Sequence, residues 1–132
     1  MTPVTKNSET LIQPWLTVSS TKKAVAFYKA AFNAVEMYRI EDDDGKAVVK
    51  LSINGAIFWV SDASDNSTGD ENVGGSTVRI ILVADDPDTI FAEALKAGAG
   101  EIFPVGEGLG WRLGRLVDPF GLHWEIGKEV NE

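Results

Sequence analysis

The stretch 111-WRLGRLVDPFGLHWEI-126 decides the fold. It divides at Asp118-Pro119-Phe120-Gly121. Proline presets one turn dihedral and glycine supplies a positive φ, so these four residues read as a turn. On either side, Trp111 to Val117 and Leu122 to Ile126 are short runs rich in aromatic and branched residues, the signature of paired strands. Working back, Gly106 to Gly110 reads as a loop and Glu101 to Val105 as another strand. Before that, Asp85-Asp86-Pro87-Asp88 supplies a cap and a first-turn proline. Ile90, Phe91, Ala94, Leu95 and Ala97 then recur at helical spacing until Gly98 stops them. Thr77 to Ala84 precedes the cap as a strand, so the second half reads β-α-β-β-β.

The first half has the same order. Leu11 to Val18 is an apolar run, and Pro14 inside it points to a sheet edge or to a position whose amide faces away from a ladder. Ser19-Ser20-Thr21 caps a helix over Lys22 to Phe32, whose apolar face is Ala24, Val25, Phe27, Tyr28, Ala31 and Phe32. Asn33 is a left-handed terminator. Val35 to Glu41, Ala47 to Ile53 and Ala56 to Val60 are strands joined by Asp44-Gly45 and Asn54-Gly55 hairpin turns. Val18 and Val83, Val25 and Ile90, and Asn33 and Gly98 each lie 65 positions apart. Asn54-Gly55 and Phe120-Gly121 lie 66 apart. Ser61 to Gly75 is polar and reads as a linker or mobile loop. The expected organisation is an N-terminal arm over 1–10 and one domain over 11–132, with modules at 11–61 and 77–127 around a linker at 62–76. Each module has one face to bury, so an α+β domain with the helices outside the sheets is expected.

The 132 residues suit a single domain with its own core. No cysteine is present, which excludes disulfides, zinc-thiolate sites and a cysteine nucleophile. A net charge of −8 argues against nucleic acid and against an anionic membrane surface as partners. Met1 to Thr10 has no signal-type apolar stretch, and a cytoplasmic location is the expectation. Three motif echoes fail. Asp42-Asp43-Asp44-Gly45 would begin a calcium loop at Ile40 and end it at Leu51, where acids are needed. Gly106 to Gly110 does not lead from a strand into a helix, as a phosphate loop must, and no Gly-x-Ser-x-Gly elbow exists.

The doubled module and the ending Arg112-x-Gly114 then Asp118-Pro119-Phe120-Gly121-x-x-Trp124 resemble the glyoxalase/bleomycin resistance/dioxygenase, or vicinal oxygen chelate, superfamily. The ending is similar to its PhnB-like branch, as is Ala26-Phe27-Tyr28-Lys29-Ala30-Ala31-Phe32-Asn33-Ala34. The resemblance runs from Leu11 to Gly127 and implies a curved mixed sheet around a cleft, and a homodimer. It departs from the branch at Gly110-Trp111-Arg112, where Trp-Gly-x-Arg is usual.

Metal-dependent members use four ligand positions, which by this matching fall on Gln13, Trp59, Val78 and Glu125. Trp and Val cannot coordinate, so a complete metal site is not expected. His123, the single histidine, lies two residues from Glu125 and shares its strand face, which keeps Gln13, His123 and Glu125 as candidate ligands of a divalent ion. Glu125 is also a candidate general base. The competing reading pairs it with an arginine such as Arg39, Arg79 or Arg112. Trp15, Trp59 and Trp111 are candidate cleft walls, and Arg112 either grips an anionic group or makes a surface ion pair.

Three functions fit these residues. One is a cofactor-free small-molecule binder whose tryptophans and Glu125 suit a planar or cationic ligand. Another is a metal-dependent lyase or isomerase of the glyoxalase I type. The third is a non-catalytic member that engages another protein.

Overall fold

The computed structural model describes residues 11–63 and 78–130. The arm over 1–10 and most of the expected linker fall outside the described residues.

Two modules are present, each a four-stranded mixed sheet with one helix. In the first, β1 (Trp15–Val18), α1 (Thr21–Phe32), β2 (Val35–Glu41), β3 (Ala47–Ile53) and β4 (Ala56–Asp62) form a sheet ordered β1-β4-β3-β2. In the second, β5 (Arg79–Val83), α2 (Pro87–Ala97), β6 (Gly100–Gly108), β7 (Trp111–Val117) and β8 (His123–Glu129) are ordered β5-β8-β7-β6. In each sheet the first strand pairs parallel with the last, and the others pair antiparallel.

The local chemistry is as expected at the helix ends. Ser20 accepts from the Lys23 amide and Asp86 from the Thr89 amide, satisfying donors a helix start leaves free. Asn33 closes α1 at φ 60°. Several strand bounds differ from expectation, β4 and β8 running on to Asp62 and Glu129, and two differences have a clear local cause. The first strand starts at Trp15, after Pro14, which has no amide to donate; its carbonyl instead accepts from Trp59 N at 2.9 Å. Gly106 to Gly108, expected as loop, belong to β6. The turn is the two-residue Leu109-Gly110, both at positive φ, which closes the hairpin directly.

Alternation along each strand separates a helix-facing side from an open side. Leu16, Val18, Val49, Leu51, Phe58 and Val60 face α1 and are buried. Leu82, Leu116, Trp124 and Ile126 are buried on the helix side of the second sheet. Gly114 lies there too: a side-chain carbon on it would come within 2.9 Å of the Phe91 ring and of the Val105 amide. The helices pack against each other, and the modules share one core, with Trp124 4.7 Å from Phe32 and 5.8 Å from Phe58 between ring centroids.

Asp118 joins that core. It accepts from Tyr28 Oη at 2.6 Å, Trp124 Nε1 at 2.9 Å, and the amides of Phe120 and Leu122, both at 2.9 Å. Burial and then the Asp118 carboxylate push the Tyr28 hydroxyl far above its ordinary pKa. The Asp-Pro-Phe-Gly turn that marks the sequence is therefore a structural weld between α1 and the last hairpin. Among the described residues, no helix is long and apolar enough to cross a membrane.

Candidate functional site

The sheet sides turned away from the shared core carry the candidate residues other than Arg112, most of them in two groups. On the first sheet Trp15 and Trp59 are cross-strand partners. Their rings stack at 5.8 Å between centroids and 14° between planes. Trp59 Nε1 donates to Gln13 Oε1 at 2.8 Å and Trp15 Nε1 to Ser61 Oγ at 2.9 Å, which fixes both indoles. Lys50 Nζ lies 5.5 Å from the Trp59 ring centroid, a cation–π contact. Tyr38 and Ile40 extend the same side, since they pair with Lys50 and Val48.

On the second sheet Arg79, Ile81 and Val83 of β5 pair with His123, Glu125 and Gly127 of β8, and Arg115 of β7 pairs with Glu125. Arg79 Nε meets Glu125 Oε2 at 3.1 Å, and the Glu125 side chain is only 12% exposed. Arg115 Nε donates to His123 Nδ1 at 3.2 Å. Arginine is always a donor, so that imidazole nitrogen carries the lone pair. Of the alternatives open for Glu125, the structure realises the pairing with Arg79.

The strand register also moves one family-matched position. Trp15 stands across from Trp59, and Ile81 across from Glu125. The N-caps Ser20 and Asp86 are likewise 66 apart, whereas the C-caps Asn33 and Gly98 are 65 apart, because α2 is one residue shorter. Before the helix the offset is thus 66, and Gln13 corresponds to Arg79, not to Val78. Offsets read within or after the helices, such as Val25 to Ile90 and Asn33 to Gly98, could not show this. Capping residues aligned to each other, Ser20 to Asp86, would have.

The remaining candidates separate. Trp111 stands across from Glu129, at the far end of the open side from Arg79. Arg112 points to the opposite, helix-covered side, where it forms a bidentate pair with Asp88 at 2.7 and 2.6 Å and reaches Glu107 at 3.5 Å. Its hydrogen bonds to Asp88 hold the Asp88 carboxyl below its usual pKa. Arg112 thus ties β7 to the start of α2. His123 and Glu125 share one face of β8 but each is engaged by an arginine, and Gln13 is bonded apart from them to Trp59 of the first sheet. No group of three His, Asp or Glu residues with metal-holding geometry is found among the described residues. A concavity of about 250 Å³ at the end of the first sheet, lined by Ile40, Lys46 and Asp62 among others, contains none of the candidate residues.

No family model matches the chain. It is 37% identical to an uncharacterized protein of Mycobacterium bovis over 96% of this chain and 88% of that one. It is equally identical to one of Mycobacterium tuberculosis over 96% of this chain and 78% of the other. Among solved structures it is similar to a glyoxylase/bleomycin resistance protein/dioxygenase domain from Frankia, with a TM-score of 0.75, 17% identity, and 93% and 99% of the two chains covered. TioX from Micromonospora follows at 0.72 and 22%, covering 92% and 100%. The fosfomycin resistance protein FosX from Listeria monocytogenes matches at 0.72 and 16%, covering 94% and 96%. The chain belongs to one family with these mycobacterial proteins, and its fold is that of the vicinal oxygen chelate superfamily.

Proposed function

We propose that this chain is a cytoplasmic, homodimeric protein of PhnB-like type that binds a small molecule in an aromatic-lined cleft without a metal ion. The observation that carries the reading is the Arg79–Glu125 pair. The one carboxylate at a family-matched ligand position already has a fixed cation beside it, and the residue matched to Gln13 is itself that cation. The rest of the donor set does not fit a divalent ion either. The Gln13 amide oxygen holds the Trp59 indole, and the His123 Nδ1 lone pair is taken by Arg115. A crystal structure of FosX holds Mn(II), and His123 and Glu125 sharing one face of β8 is what favours the glyoxalase I-like alternative here. That alternative requires Arg79 to be displaced.

The dimer reading rests on the open sides. Trp15, Tyr38 and Ile40 on the first sheet are 55%, 51% and 53% exposed, and Ile81, Val83 and Phe103 on the second are 53%, 59% and 40% exposed. So much large apolar surface on both sheets suits a partner. A second copy laying its second sheet over the first sheet of its mate would cover both sides at once and close a cleft between them.

The test is a thermal-melt titration of chelator-treated protein with Mn, Ni, Co, Zn and Ca, beside a Glu125→Ala control. Saturation at a hundredfold excess over the dissociation constant would add about 2.7 kcal/mol and raise the midpoint by several degrees. The expected result is no shift with any ion. A shift that Glu125→Ala abolishes would establish the metal-dependent reading instead.

A further inference from the structure

We infer that the open side of the second sheet takes an anionic group, a carboxylate, sulfonate or phosphoryl, borne on a planar apolar body. The inference rests on the small-molecule reading above and adds the sign of the ligand's charge, which the overall charge of −8 would have set the other way.

Four polar side chains stand together there: Arg79, Arg115, His123 and Glu125. One carboxylate faces two guanidinium groups. Glu125 is engaged by Arg79 at 3.1 Å. Arg115, although directly across the ladder from Glu125, spends its Nε on His123, which brings no negative charge. Among the described residues the Arg115 guanidinium has no carboxylate partner, and both its terminal nitrogens remain for a ligand. Those two nitrogens form the planar fork that grips an oxyanion bidentately.

The surroundings sharpen this. Phe103 is the cross-strand neighbour of Arg115 on its other side, and Val117 and Leu113 flank it on the same face of β7. An unpaired charge beside apolar groups is costly, and an incoming anion is correspondingly well held. One further acid on this side, Glu129, stands at its far end across from Trp111, and other acids lie elsewhere. Glu36 and Glu41 pair with Arg39 on the other side of the first sheet, and Asp88 and Glu107 pair with Arg112 on the other side of the second.

Closure by a second copy would not change the balance. The polar groups that β1, β3 and β4 present on the open side of the first sheet are Thr17, Lys50, Ser52 and Ser61, with no carboxylate among them. That side brings instead the stacked Trp15 and Trp59, a platform for a planar body.

The experiment uses three probes of one shape on the full chain: 1-naphthoate, 1-naphthamide and 1-naphthylmethylammonium, followed by tryptophan fluorescence and calorimetry. Naphthoate should bind about tenfold or more tighter than the amide, and the ammonium probe weakest, as a charge-assisted hydrogen bond to guanidinium implies. Arg115→Gln should bring naphthoate to within about twofold of the amide while leaving the amide unchanged. Glu125→Gln, which releases Arg79, should tighten naphthoate severalfold. The ranking of the three probes on the unaltered protein decides the matter even if a variant fails to fold. Equal binding of all three, or preference for the ammonium, overturns the anion inference and leaves small-molecule binding standing. No binding of any probe overturns both.

Discussion

Gln13 with Trp59 and Arg79 with Glu125 occupy the same place in the two modules, yet one is a neutral amide–indole bond and the other an ion pair. The helix-facing positions beside them have not diverged in this way. Leu16 matches Leu82, Phe58 matches Trp124 and Val60 matches Ile126, all buried and all apolar. The difference separates two kinds of information in one repeat. The helix side is constrained by the shared core, where every change of volume or polarity is felt. The open side is constrained only by what lies over it, so a tryptophan platform and an arginine–glutamate pair can stand in equivalent places. The two sheets are one scaffold presenting two different surfaces.

The strongest way to break that comparison is to remove the weld that holds both modules to one core. Asp118→Ala would leave Tyr28 Oη, Trp124 Nε1 and two turn amides without their acceptor. Each buried donor left unmet costs about 1–3 kcal/mol. A loss of about 3 kcal/mol or more is expected in urea unfolding, with Asp118→Asn milder because one oxygen remains. A loss under about 1 kcal/mol would mean that the modules are held in register by apolar packing alone.

A second test exchanges the pairs themselves. Arg79→Gln leaves Glu125, largely covered, without its counter-charge, and should cost about 1–2 kcal/mol. The Arg79 side chain is 47% exposed, which keeps the figure modest. Adding Glu125→Trp to Arg79→Gln rebuilds the pair of the first module on the frame of the second and should recover most of that loss. If the double variant is no more stable than Arg79→Gln alone, the two frames are less equivalent than their register indicates.

The helix side was the part legible in the sequence. Helical spacing from Ala24 to Phe32, the left-handed Asn33 and the Asp-Pro-Phe-Gly turn each rest on local rules that burial reinforces. The edge position that Pro14 indicated holds, since β1 ends its sheet; misread were the start of that strand, which the missing Pro14 amide delays to Trp15, and the glycines of β6, whose pairing with β7 overrides their loop propensity. The open side was legible only in part. Which side of a strand a residue takes can be read by alternation, so His123 and Glu125 were correctly placed together. Which arginine reaches Glu125 depends on cross-strand register, which sequence spacing mis-set by one residue before α2. Arg112 and Arg115 lie three residues apart on β7 and so on opposite sides, and only the ladder shows that Arg115 is the one beside Glu125.

The smallest expected effect lies where the last strand of each module ends. Asp62 and Lys128 are 66 apart and both reach the start of a helix. Asp62 accepts from the amides of Thr21 at 3.0 Å and Ala47 at 2.8 Å, whereas Lys128 Nζ donates to the Asp85 carbonyl at 3.1 Å. A carboxylate suits a helix N-terminus and a cation does not, so the first contact should be worth more. Burial resists ionisation of Asp62, but the amides of Thr21 and Ala47 outweigh it and hold the carboxyl below its ordinary pKa. A carboxylate lowered on folding stabilises above its unfolded pKa of about 3.9 and loses that contribution as pH falls through the folded value. Asp62→Asn should therefore cost about 1 kcal/mol at pH 7, and its gap from the unaltered protein should narrow steadily from about pH 5 downward. Lys128→Met should stay within about 0.5 kcal/mol over the same range. Urea unfolding at pH 7, 5, 4 and 3 separates them. Parallel curves for both variants would place the two strand ends on an equal footing and confine the divergence of the modules to their open sides.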